Sequence, residues 1–442
     1  MRLLFVIPEY PPHSGGGIVT FYRALLPELV RQGHYVRALV GSGFTSKLPS
    51  YEADGVEVDF LDHEAVSRNL SRFQSFRALP ELQRHLSAAW TAREQAEAGE
   101  GYDLVETSDW GLLFAPWVTE KAGPPVVVQL HGSVGQIDFN DPRRGDELFG
   151  CVTRMLEMQV LPLADELQTY STINAGEWGA ITKREVTYIP PAWKSSSVGD
   201  YHDEKSKNGL VVGRVQYWKG PIVLCEALRL LGTSAPTIDW VGRDTDYVAI
   251  GSSMSTYLSQ TYPDVWGVKV LPIGRCAPEE VAKRQARAAF SVVPSLWDVF
   301  NFTCVEEMGC GQVVVCSKGA GASELINDGE DGFVFPSNNA EELARKLKQL
   351  LLMTEKQQEE MGRAAQSVIL SLLNPMTVAE QRIKRYESLV ARGRSSSQVH
   401  PWISESVRPH GSLNQTLAFL DKLPLRELSG YALRRGVKRI LN

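Results

Sequence analysis

Two successive runs of alternating strand-like and helix-like segments most constrain how this chain can fold. In residues 1–191, short β-branched stretches recur with helical patterns between most of them. The alternation ends at Pro190-Pro191, and it restarts after a polar, turn-rich stretch at 192–207. This pattern predicts parallel sheets covered by helices, with ligands at the carboxyl ends of the strands. The sequence therefore predicts two doubly wound α/β domains.

The predicted elements follow the apolar pattern. The strands of the first half are Leu3–Ile7, Tyr35–Val40, Val56–Phe60, Asp103–Glu106 and Val126–Leu130. The strands of the second half are Leu210–Gly213, Ile238–Val241, Val268–Leu271, Phe290–Val293, Val313–Cys316 and Phe333–Phe335. These patterns predict a first domain over 1–191, a linker over 192–207, a second domain over 208–375, a helix over 376–392 and a tail over 393–442.

Composition narrows the class of protein. Apolar residues make up 43% of the chain and charged residues 22%, which is typical of a soluble globular protein. The net charge of −6 gives no indication of a nucleic-acid partner. The apolar start is too short for a signal peptide, and no run reaches the roughly 20 residues of a membrane span. The cysteines form no CxxC pair, so we interpret them as small buried hydrophobes in a cytoplasmic protein.

The loop after the first strand contains a glycine cluster. PEYPPHSGGG places Gly15, Gly16 and Gly17 at the entry to a helix. Bare backbone amides at a helix N-terminus suit a phosphate that approaches closely. A flexible loop explains the same three glycines, so the cluster alone leaves both interpretations open.

The second half presents two cations at its first strand end. The strand over 209–213 is followed by Arg214, and Lys219 precedes a helix with Pro221 in its first turn. In this architecture an anionic ligand binds at such a position. A solvated surface is the alternative for both side chains.

Two carboxylates flank the start of another helix. In PSLWDVFNFTCVEEM, Asp298 and Glu306 have seven residues between them. Thr303 and Glu306 have the spacing of a capping box, and Asp298 is of a type common in turns. Spacing alone favours that structural interpretation. The alternative is a helix that directs its free amides at a diphosphate while the carboxylates accept sugar hydroxyls.

Together these segments resemble glycosyltransferase family 4, a family of retaining enzymes with the two-domain GT-B fold. The similarity covers roughly residues 1–392. It is carried by GGG at 15–17, RQGHYV at 31–36, QLHG at 129–132, GRVQYWKG at 213–220, PSLWDVFNFTCVEEM at 294–308 and GAGASELINDGEDGF at 319–333. The resemblance implies two Rossmann-like domains that face a central cleft. The first would hold the acceptor, the second would bind the donor, and the helix at 376–392 would cross back to the first.

The resemblance also implies roles for individual residues. Arg214 and Lys219 match the pair that binds the donor diphosphate and steadies its charge as it leaves. Asp298 is expected at the donor sugar and Glu306 at the nucleotide ribose, while His131 is expected close to the transferred sugar and the acceptor. The other matching donor-binding positions are Gly16, Gly17, Phe300, Asn301, Phe302 and Thr303. Glu324 matches the acidic residue of a GGxxE segment, whose role stays open.

The implied activity is retaining, metal-independent hexosyl transfer. The donor would be a UDP- or GDP-sugar, the acceptor a glycan or a lipid-linked sugar, and the product linkage α, as in polysaccharide biosynthesis. The leaving phosphate can take the acceptor's proton, so no protein base is required. No cofactor and no metal are expected, because Arg214, Lys219 and helix N-termini can stabilise the charge that a metal stabilises elsewhere.

Three positions depart from the family pattern. Asp298 is one methylene shorter than the usual glutamate, Ala192 ends the Pro-Pro-Ala that replaces PNG, and Ala320 replaces the first glycine of GGxxE. The shortened carboxylate leaves its contact with the sugar open. A non-catalytic sugar-nucleotide-binding protein of the same fold is therefore the alternative. Nicotinamide oxidoreductases and serine hydrolases are disfavoured, because the sequence has neither GxGxxG after a first strand nor GxSxG.

The tail lies outside the resemblance and is basic. Its apolar residues recur at broadly helical spacing, and its cations outnumber its acids, which predicts an amphipathic segment. Its apolar members are Leu417, Leu420, Leu428, Tyr431, Val437, Ile440 and Leu441, and its cations are Lys422, Arg426, Arg434, Arg435, Lys438 and Arg439. Contact with an anionic membrane surface, at the inner face of a membrane, and packing on a domain or a partner subunit are equal alternatives.

Overall fold

The computed structural model describes residues 1–13, 16–43, 48–141, 148–194, 206–247, 251–395, 399–409 and 424–441. Within these ranges the chain forms two α/β domains, each built around a mainly parallel sheet. The prediction of two Rossmann-like, doubly wound domains is confirmed. Most of the predicted linker at 192–207 lies outside the described residues.

The N-terminal domain has an eight-stranded sheet. Its strands are β1 Arg2–Ile7, β2 Tyr35–Val40, β3 Tyr51–Ala53, β4 Val56–Phe60, β5 Leu104–Ser108, β6 Val126–Gln129, β7 Glu166–Thr169 and β8 Thr187–Tyr188. They lie in the order β3-β4-β2-β1-β5-β6-β7-β8, and only the β3–β4 pair is antiparallel. The helices are α1 Gly17–Arg31, α2 His63–Arg72, α3 Pro80–Gln95, α4 Ala115–Thr119, α5 Val134–Asn140, α6 Leu148–Val160 and α7 Thr172–Thr182. The apolar β1 is central and almost fully buried, as expected for a parallel strand covered on both faces.

The C-terminal domain has a six-stranded parallel sheet. Its strands are β9 Gly209–Val212, β10 Ile238–Val241, β13 Val270–Gly274, β14 Ser291–Val293, β15 Val314–Ser317 and β16 Phe333–Phe335, in the order β13-β10-β9-β14-β15-β16. A separate hairpin joins β11 Asp246–Tyr247 to β12 Ser252–Ser253. The helices are α8 Pro221–Leu231, α9 Met254–Thr261, α10 Pro278–Arg287, α11 Phe302–Gly309, α12 Ala340–Leu351 and α13 Glu355–Leu372.

A long helix, α14 Pro375–Arg392, lies against the N-terminal domain. Its Arg382 is fully buried and donates to Glu106 on β5 at 2.8 Å and to Gln129 on β6. Tyr386, one turn further on, also donates to Glu106. A buried ion pair is better tolerated when further hydrogen bonds satisfy its polar atoms, and here both terminal nitrogens of Arg382 and both oxygens of Glu106 have partners. These bonds attach the helix that follows the second domain to the centre of the first sheet.

Apolar packing also joins the two domains. Trp193, just after the N-terminal sheet, donates its backbone N–H to the carbonyl of Leu373 at 2.9 Å. Its indole lies against Gly309 in α11, where a Cβ would come within 2.1 Å of the ring. Only glycine leaves room for that close approach. The start of the interdomain connection is therefore held by the C-terminal domain.

The tail differs in part from its sequence-based description. Residues predicted as linker contain a short helix, α15 Pro401–Val407, which contacts α4 and α6. Val407 is fully buried, and its carbonyl accepts from the indole N–H of Trp90 at 2.7 Å. A basic helix, α16 Leu425–Leu441, follows, whereas Leu417, Leu420 and Lys422 lie outside the described residues. In the part of the chain that the structure describes, no helix is both long and apolar enough to cross a bilayer.

The cysteine prediction holds in part. Cys225, Cys304 and Cys316 are buried, as small apolar side chains usually are. Cys151 on α6 is exposed, so it is not one of the buried hydrophobes that the sequence led us to expect.

Candidate active site

The predicted site residues lie in loops and helix starts that follow strand ends in both domains. Loops of the two domains touch at two glycines. A Cβ on Gly17, at the start of α1, would lie 2.7 Å from the ring of Phe302. A Cβ on Gly132, after β6, would lie 3.1 Å from Val299. The structure thus brings the glycine loop, the loop that carries His131 and the loop before α11 into one cleft.

The start of α11 corrects one sequence-based interpretation. The helix is capped by Asn301, whose side chain accepts from the backbone N–H of Cys304 at 3.1 Å. The predicted capping box of Thr303 and Glu306 is therefore wrong. Asn301 has a φ of 80°, a left-handed conformation that asparagine adopts more readily than β-branched threonine. This conformation starts the helix one residue before Thr303.

Because Asn301 caps the helix, Glu306 is not required for capping. Its carboxylate accepts instead from the side-chain amide of Gln285 on α10 at 3.2 Å. Burial raises the pKa of Glu306, while Gln285 and the positive charge of Arg23 on α1 oppose the rise. Arg23 belongs to the N-terminal domain, so Glu306 interacts electrostatically with a residue across the cleft.

Lys219 and Asp298 form an ion pair at the strand ends of the C-terminal domain. Their side chains are 18% and 15% exposed, and Asp298 also accepts from the side-chain amide of Asn301 at 3.1 Å. Lys219 Nζ lies 4.4 Å from the ring centroid of Trp218, and the guanidinium carbon of Arg214 lies 5.7 Å from the same ring. Trp218 thus holds both predicted cations side by side through cation–π contacts.

The turn after Lys219 requires glycine. Gly220 has a φ of 75°, and a Cβ there would lie 1.8 Å from the carbonyl oxygen of Pro294. Glycine adopts this conformation without steric cost and lets the turn approach the end of β14. The Lys-Gly sequence therefore places the lysine beside the loop that carries Asp298, and Pro221 then opens α8 as predicted.

Glu9 is a cleft residue that the sequence analysis did not select. One of its carboxylate oxygens lies 2.9 Å from the position that a Cβ on Gly16 would occupy, at the N-terminus of α1. Burial raises the pKa of Glu9, while the charges of His13 and Arg214 oppose the rise. A carboxylate of one domain therefore interacts with the diphosphate-binding candidate of the other. Its position directly after the first strand was the available sequence signal.

Two buried carboxylates hold the loop after β6. Asp109 accepts from the backbone N–H groups of His131 and Gly132 at 2.9 and 3.1 Å. Glu157 on α6 accepts from the hydroxyl of Ser133 at 2.7 Å and from the N–H of Gly135 at 3.1 Å. Burial raises the pKa of Asp109 to about 7 and that of Glu157 to about 8. Asp109 and Glu157 are both buried, so the loop is held by hydrogen bonds on the side that faces the protein interior.

The imidazole of His131 contacts two tyrosines. Its Nδ1 lies 2.9 Å from the hydroxyl of Tyr170, and its Nε2 lies 3.1 Å from the hydroxyl of Tyr22. Burial lowers the pKa of His131 to about 3, and the charge of Arg382 acts in the same direction. His131 is therefore neutral near pH 7. The structure places it at the cleft, while its function there stays a prediction.

Glu324 crosses from the C-terminal domain to the start of α7. It accepts from the backbone N–H groups of Thr172 and Ile173, both at 3.0 Å, and from the hydroxyl of Ser171 at 3.2 Å. A carboxylate at a helix N-terminus satisfies free amides and complements the helix dipole. Gly321 permits this approach, because a Cβ there would lie 2.7 Å from the Ser171 hydroxyl oxygen. Glu324 thus caps a helix of the other domain.

The arrangement suits an anionic ligand. Arg214 and Lys219 offer positive charge beside the N-terminus of α11, at the edge of a parallel sheet where anions bind. Preorganised cations and amides stabilise negative charge as it develops on a leaving group. Within the described ranges, no three His, Cys, Asp or Glu side chains are grouped as metal ligands.

Family models match both halves of the chain. Residues 16–191 match a glycosyl transferase 4-like domain, and residues 199–368 match glycosyl transferases group 1. An uncharacterised glycosyltransferase from Methanocaldococcus jannaschii is 33% identical over 65% of this chain and 75% of its own length. A D-inositol 3-phosphate glycosyltransferase from an Arthrobacter species is 26% identical over 82% of this chain and 88% of its own length.

Solved structures share the fold. Sucrose-phosphate synthase from Thermosynechococcus elongatus aligns with a TM-score of 0.67 and 18% identity, over 89% of this chain and 100% of the other. The Anabaena protein HepE in complex with UDP-glucose aligns with a TM-score of 0.61 and 17% identity, over 88% of this chain and 100% of the other. At these identities the similarity establishes the architecture.

Proposed function

Because the chain belongs to the glycosyltransferases of the GT-B fold, with a 4-like domain followed by a group 1 domain, we propose that it is a retaining enzyme of family 4. It transfers a hexosyl group from a UDP- or GDP-sugar to a glycan or lipid-linked acceptor and forms an α linkage. The main support is the Lys219–Asp298 pair beside Arg214 and the start of α11. The N-terminal domain, residues 1–191, receives the acceptor, and residues 208–375 bind the donor.

In the proposed reaction, the bond between the anomeric carbon and the diphosphate oxygen breaks on the same face on which the acceptor oxygen bonds. The acceptor's hydroxyl proton passes to the departing phosphate oxygen, so the reaction is balanced without a protein base. Arg214, Lys219 and the first amides of α11 stabilise the diphosphate as its charge grows. Gly16 and Gly17 leave the backbone open to the phosphates. The two domains hold the reactants together, which removes much of the entropic barrier.

Asp298 acts through Lys219 as well as toward the sugar. In the absence of donor its carboxylate balances the lysine charge, which is costly to bury alone. An arriving diphosphate competes for that lysine and frees Asp298 to accept a sugar hydroxyl. Phe300, Phe302 and Thr303 line the same loop, and Glu306 accepts the ribose hydroxyls. In this proposal the shorter side chain is suited to its lysine partner.

Three similar proteins support the proposed substrate classes. The HepE structure contains UDP-glucose, which supports a nucleotide-sugar donor. The D-inositol 3-phosphate glycosyltransferases act on a hydroxylated ring, by their names, which supports a hydroxyl acceptor on a polar ring. A glycan and the sugar of a lipid-linked acceptor both present such a hydroxyl.

Donor binding and donor hydrolysis test the proposal. Thermal unfolding of the full chain is measured with UDP-glucose, UDP-N-acetylglucosamine or GDP-mannose. In a separate assay, the free sugar released from each donor without acceptor is measured. The matching donor should stabilise the protein by about 2.7 kcal/mol at 100 times its dissociation constant. It should also release free sugar in the wild type and not in Lys219→Ala. Absence of both effects with every UDP- and GDP-sugar would reject the proposed donor class.

For the tail, we propose contact with an anionic membrane surface. In α16 the apolar Leu433 and Val437, one turn apart, are 70% and 55% exposed, and Arg434 lies between them. Each basic residue near anionic lipid contributes about 1 kcal/mol. Deletion of residues 410–442 preserves the buried Val407 and should reduce sedimentation with phosphatidylserine vesicles while leaving donor binding unchanged. Equal sedimentation of the truncated and full chains would exclude the anchor.

A further inference from the structure

A series of buried hydrogen bonds connects α14 to the imidazole in the cleft. Arg382 donates to one carboxylate oxygen of Glu106 at 2.8 Å, and the Tyr22 hydroxyl donates to the other at 3.0 Å. The Tyr22 oxygen lies 3.1 Å from His131 Nε2. On the opposite side of the ring, Nδ1 lies 2.9 Å from the hydroxyl of Tyr170. Arg382, Glu106 and Tyr22 are fully buried, so the hydrogen bonds among these three side chains are shielded from water.

Counting donors places each proton. Glu106 pairs with a guanidinium that is always charged, so it is a carboxylate and can only accept. Tyr22 has one hydroxyl proton, and it donates that proton in a hydrogen bond to Glu106. The Tyr22 oxygen must therefore accept a hydrogen bond from His131 Nε2–H. A neutral imidazole carries one proton, and His131 is neutral because burial lowers its pKa to about 3. Its Nδ1 is therefore an acceptor, and Tyr170 donates to it.

We propose that Arg382, Glu106 and Tyr22 are positioning residues that hold His131 as the Nε2–H tautomer and thereby commit the hydroxyl proton of Tyr170 to His131 Nδ1. In this role the imidazole neither takes nor gives the acceptor's proton. It orients a tyrosine.

Tyr170 connects this series of hydrogen bonds to the C-terminal domain. The ring of Tyr170 packs edge-on against Phe300 and Phe302, with centroids 5.2 and 5.6 Å away. The series of contacts thus extends from α14 to the loop that the proposed function assigns to donor binding. The inference rests on the proposed function only in connecting His131 to glycosyl transfer, since the tautomer is a property of the free protein.

The test is the nitrogen spectrum of the histidine rings in the full chain. Protein labelled with ¹⁵N in histidine is recorded by long-range proton–nitrogen correlation, and the signal lost in His131→Gln identifies the ring among the eight histidines. We expect a protonated Nε2 and an unprotonated Nδ1 from about pH 5 to 8, the range in which an ordinary histidine titrates. A protonated Nδ1 or an imidazolium at pH 7 would overturn the proposal.

Two tyrosine variants form a matched pair, since each loses one hydroxyl next to the same ring. Tyr22→Phe removes the acceptor of Nε2–H, so both tautomers should appear. Tyr170→Phe leaves that acceptor in place, so the Nε2–H form should persist. The reverse pattern would overturn the proposal. The wild-type spectrum decides the assignment even where Tyr22→Phe fails to fold.

Kinetics separate this inference from the proposed function. Tyr22→Phe should lower kcat by about 10-fold with little change in the donor KM, because one hydrogen bond of positioning is lost. An unchanged kcat in a protein with mixed tautomers would overturn the positioning role. Absence of transfer in every protein, with the expected wild-type tautomer, would reject the proposed function and leave the tautomer assignment supported.

Discussion

The two domains fix their cleft loops by opposite means. In the N-terminal domain, the fully buried Asp109 and the nearly fully buried Glu157 hold residues 131–135 through backbone amides and a hydroxyl. In the C-terminal domain, Lys219 and Asp298 hold each other while both remain partly exposed. The loop at 131–135 makes its hydrogen bonds to buried carboxylates inside the protein. In the C-terminal domain, by contrast, the partly exposed Lys219 is a cation that an anion can reach. The same strand-end position thus holds a loop in place in one domain and forms a candidate ligand site in the other.

Removal of the partly exposed Lys219 should have the largest effect. Lys219→Ala should lower kcat by on the order of 10²–10³-fold, because it removes a charge that stabilises the leaving diphosphate. Lys346→Ala is the matched control, since it also breaks a lysine–aspartate pair of the same domain. Its turnover should stay close to the wild type. Near-wild-type turnover of Lys219→Ala with saturating donor would contradict a ligand site here.

Removal of a buried carboxylate should act on stability. Asp109→Ala leaves the backbone N–H groups of His131 and Gly132 without their acceptor. At about 1–3 kcal/mol for each of the two unsatisfied groups, the free energy of unfolding should fall by roughly 2–6 kcal/mol. Urea unfolding measures the change, and Asp109→Asn, which keeps an acceptor oxygen, should lose less. A stable but inactive Asp109→Ala protein would show that this loop is more than a frame.

The buried carboxylates also predict the pH dependence of stability. Unfolded carboxyls ionise near pH 4, whereas the folded pKa is raised to about 7 for Asp109 and about 8 for Glu157. Between these values the folded state binds more protons, so the free energy of unfolding falls as pH rises from about 4 to 8. Glu157→Gln should reduce that slope by at most about 1.4 kcal/mol per pH unit. An unchanged slope in urea unfolding at several pH values would show that Glu157 is ionised in the folded state.

Asp298 should affect turnover more than donor binding. Asp298→Ala leaves Lys219 without its partner, so the lysine is less well placed when charge develops. We expect kcat to fall by on the order of 10-fold, about one charged hydrogen bond, with a smaller change in donor KM. Asp298→Asn keeps the shape and should lie between. Unaltered steady-state kinetics would mean that the aspartate serves neither the lysine nor the sugar.

Glu306 should show the smallest change, and it should appear in affinity. Glu306→Gln keeps the size of the side chain, and Asn301 still caps α11, so stability should be preserved. The donor KM should rise about 5-fold, because a neutral amide binds ribose hydroxyls less strongly than a carboxylate. Steady-state kinetics measure the donor KM, and calorimetric titration with UDP and GDP measures the corresponding change in the dissociation constant. Equal affinity would remove the ribose role.

Local pattern was enough to predict the architecture and the position of part of the candidate site. Strands such as Leu3–Ile7 and the turn that carries Lys219 are defined by nearby residues, so the apolar alternation and the Gly-Pro pair located them. The helix cap was missed, because Thr303 and Glu306 have the right spacing and only the left-handed backbone of Asn301 decides the true start.

Contacts between residues distant in sequence could not be predicted from local pattern. Asp109 lies 22 residues before His131, and Glu324 lies 152 residues after Thr172. No periodicity joins such pairs, because their contact depends on how strands are ordered in the sheets and how the domains face each other. The roles carried over from family resemblance remain predictions, and the variants above address those of Lys219, Asp298 and Glu306.

The cap on α7 has a consequence for timing. Opening of the cleft that carries Glu324 away from Thr172 and Ile173 breaks three hydrogen bonds together and returns a carboxylate and two amides to water. Contacts that break together favour two discrete states over gradual flexing. In many enzymes product release, and not chemistry, limits the overall rate. In the proposed function a nucleotide product leaves only after such an opening, so we expect the lifetime of the Glu324 cap to set the shortest time that the product stays bound.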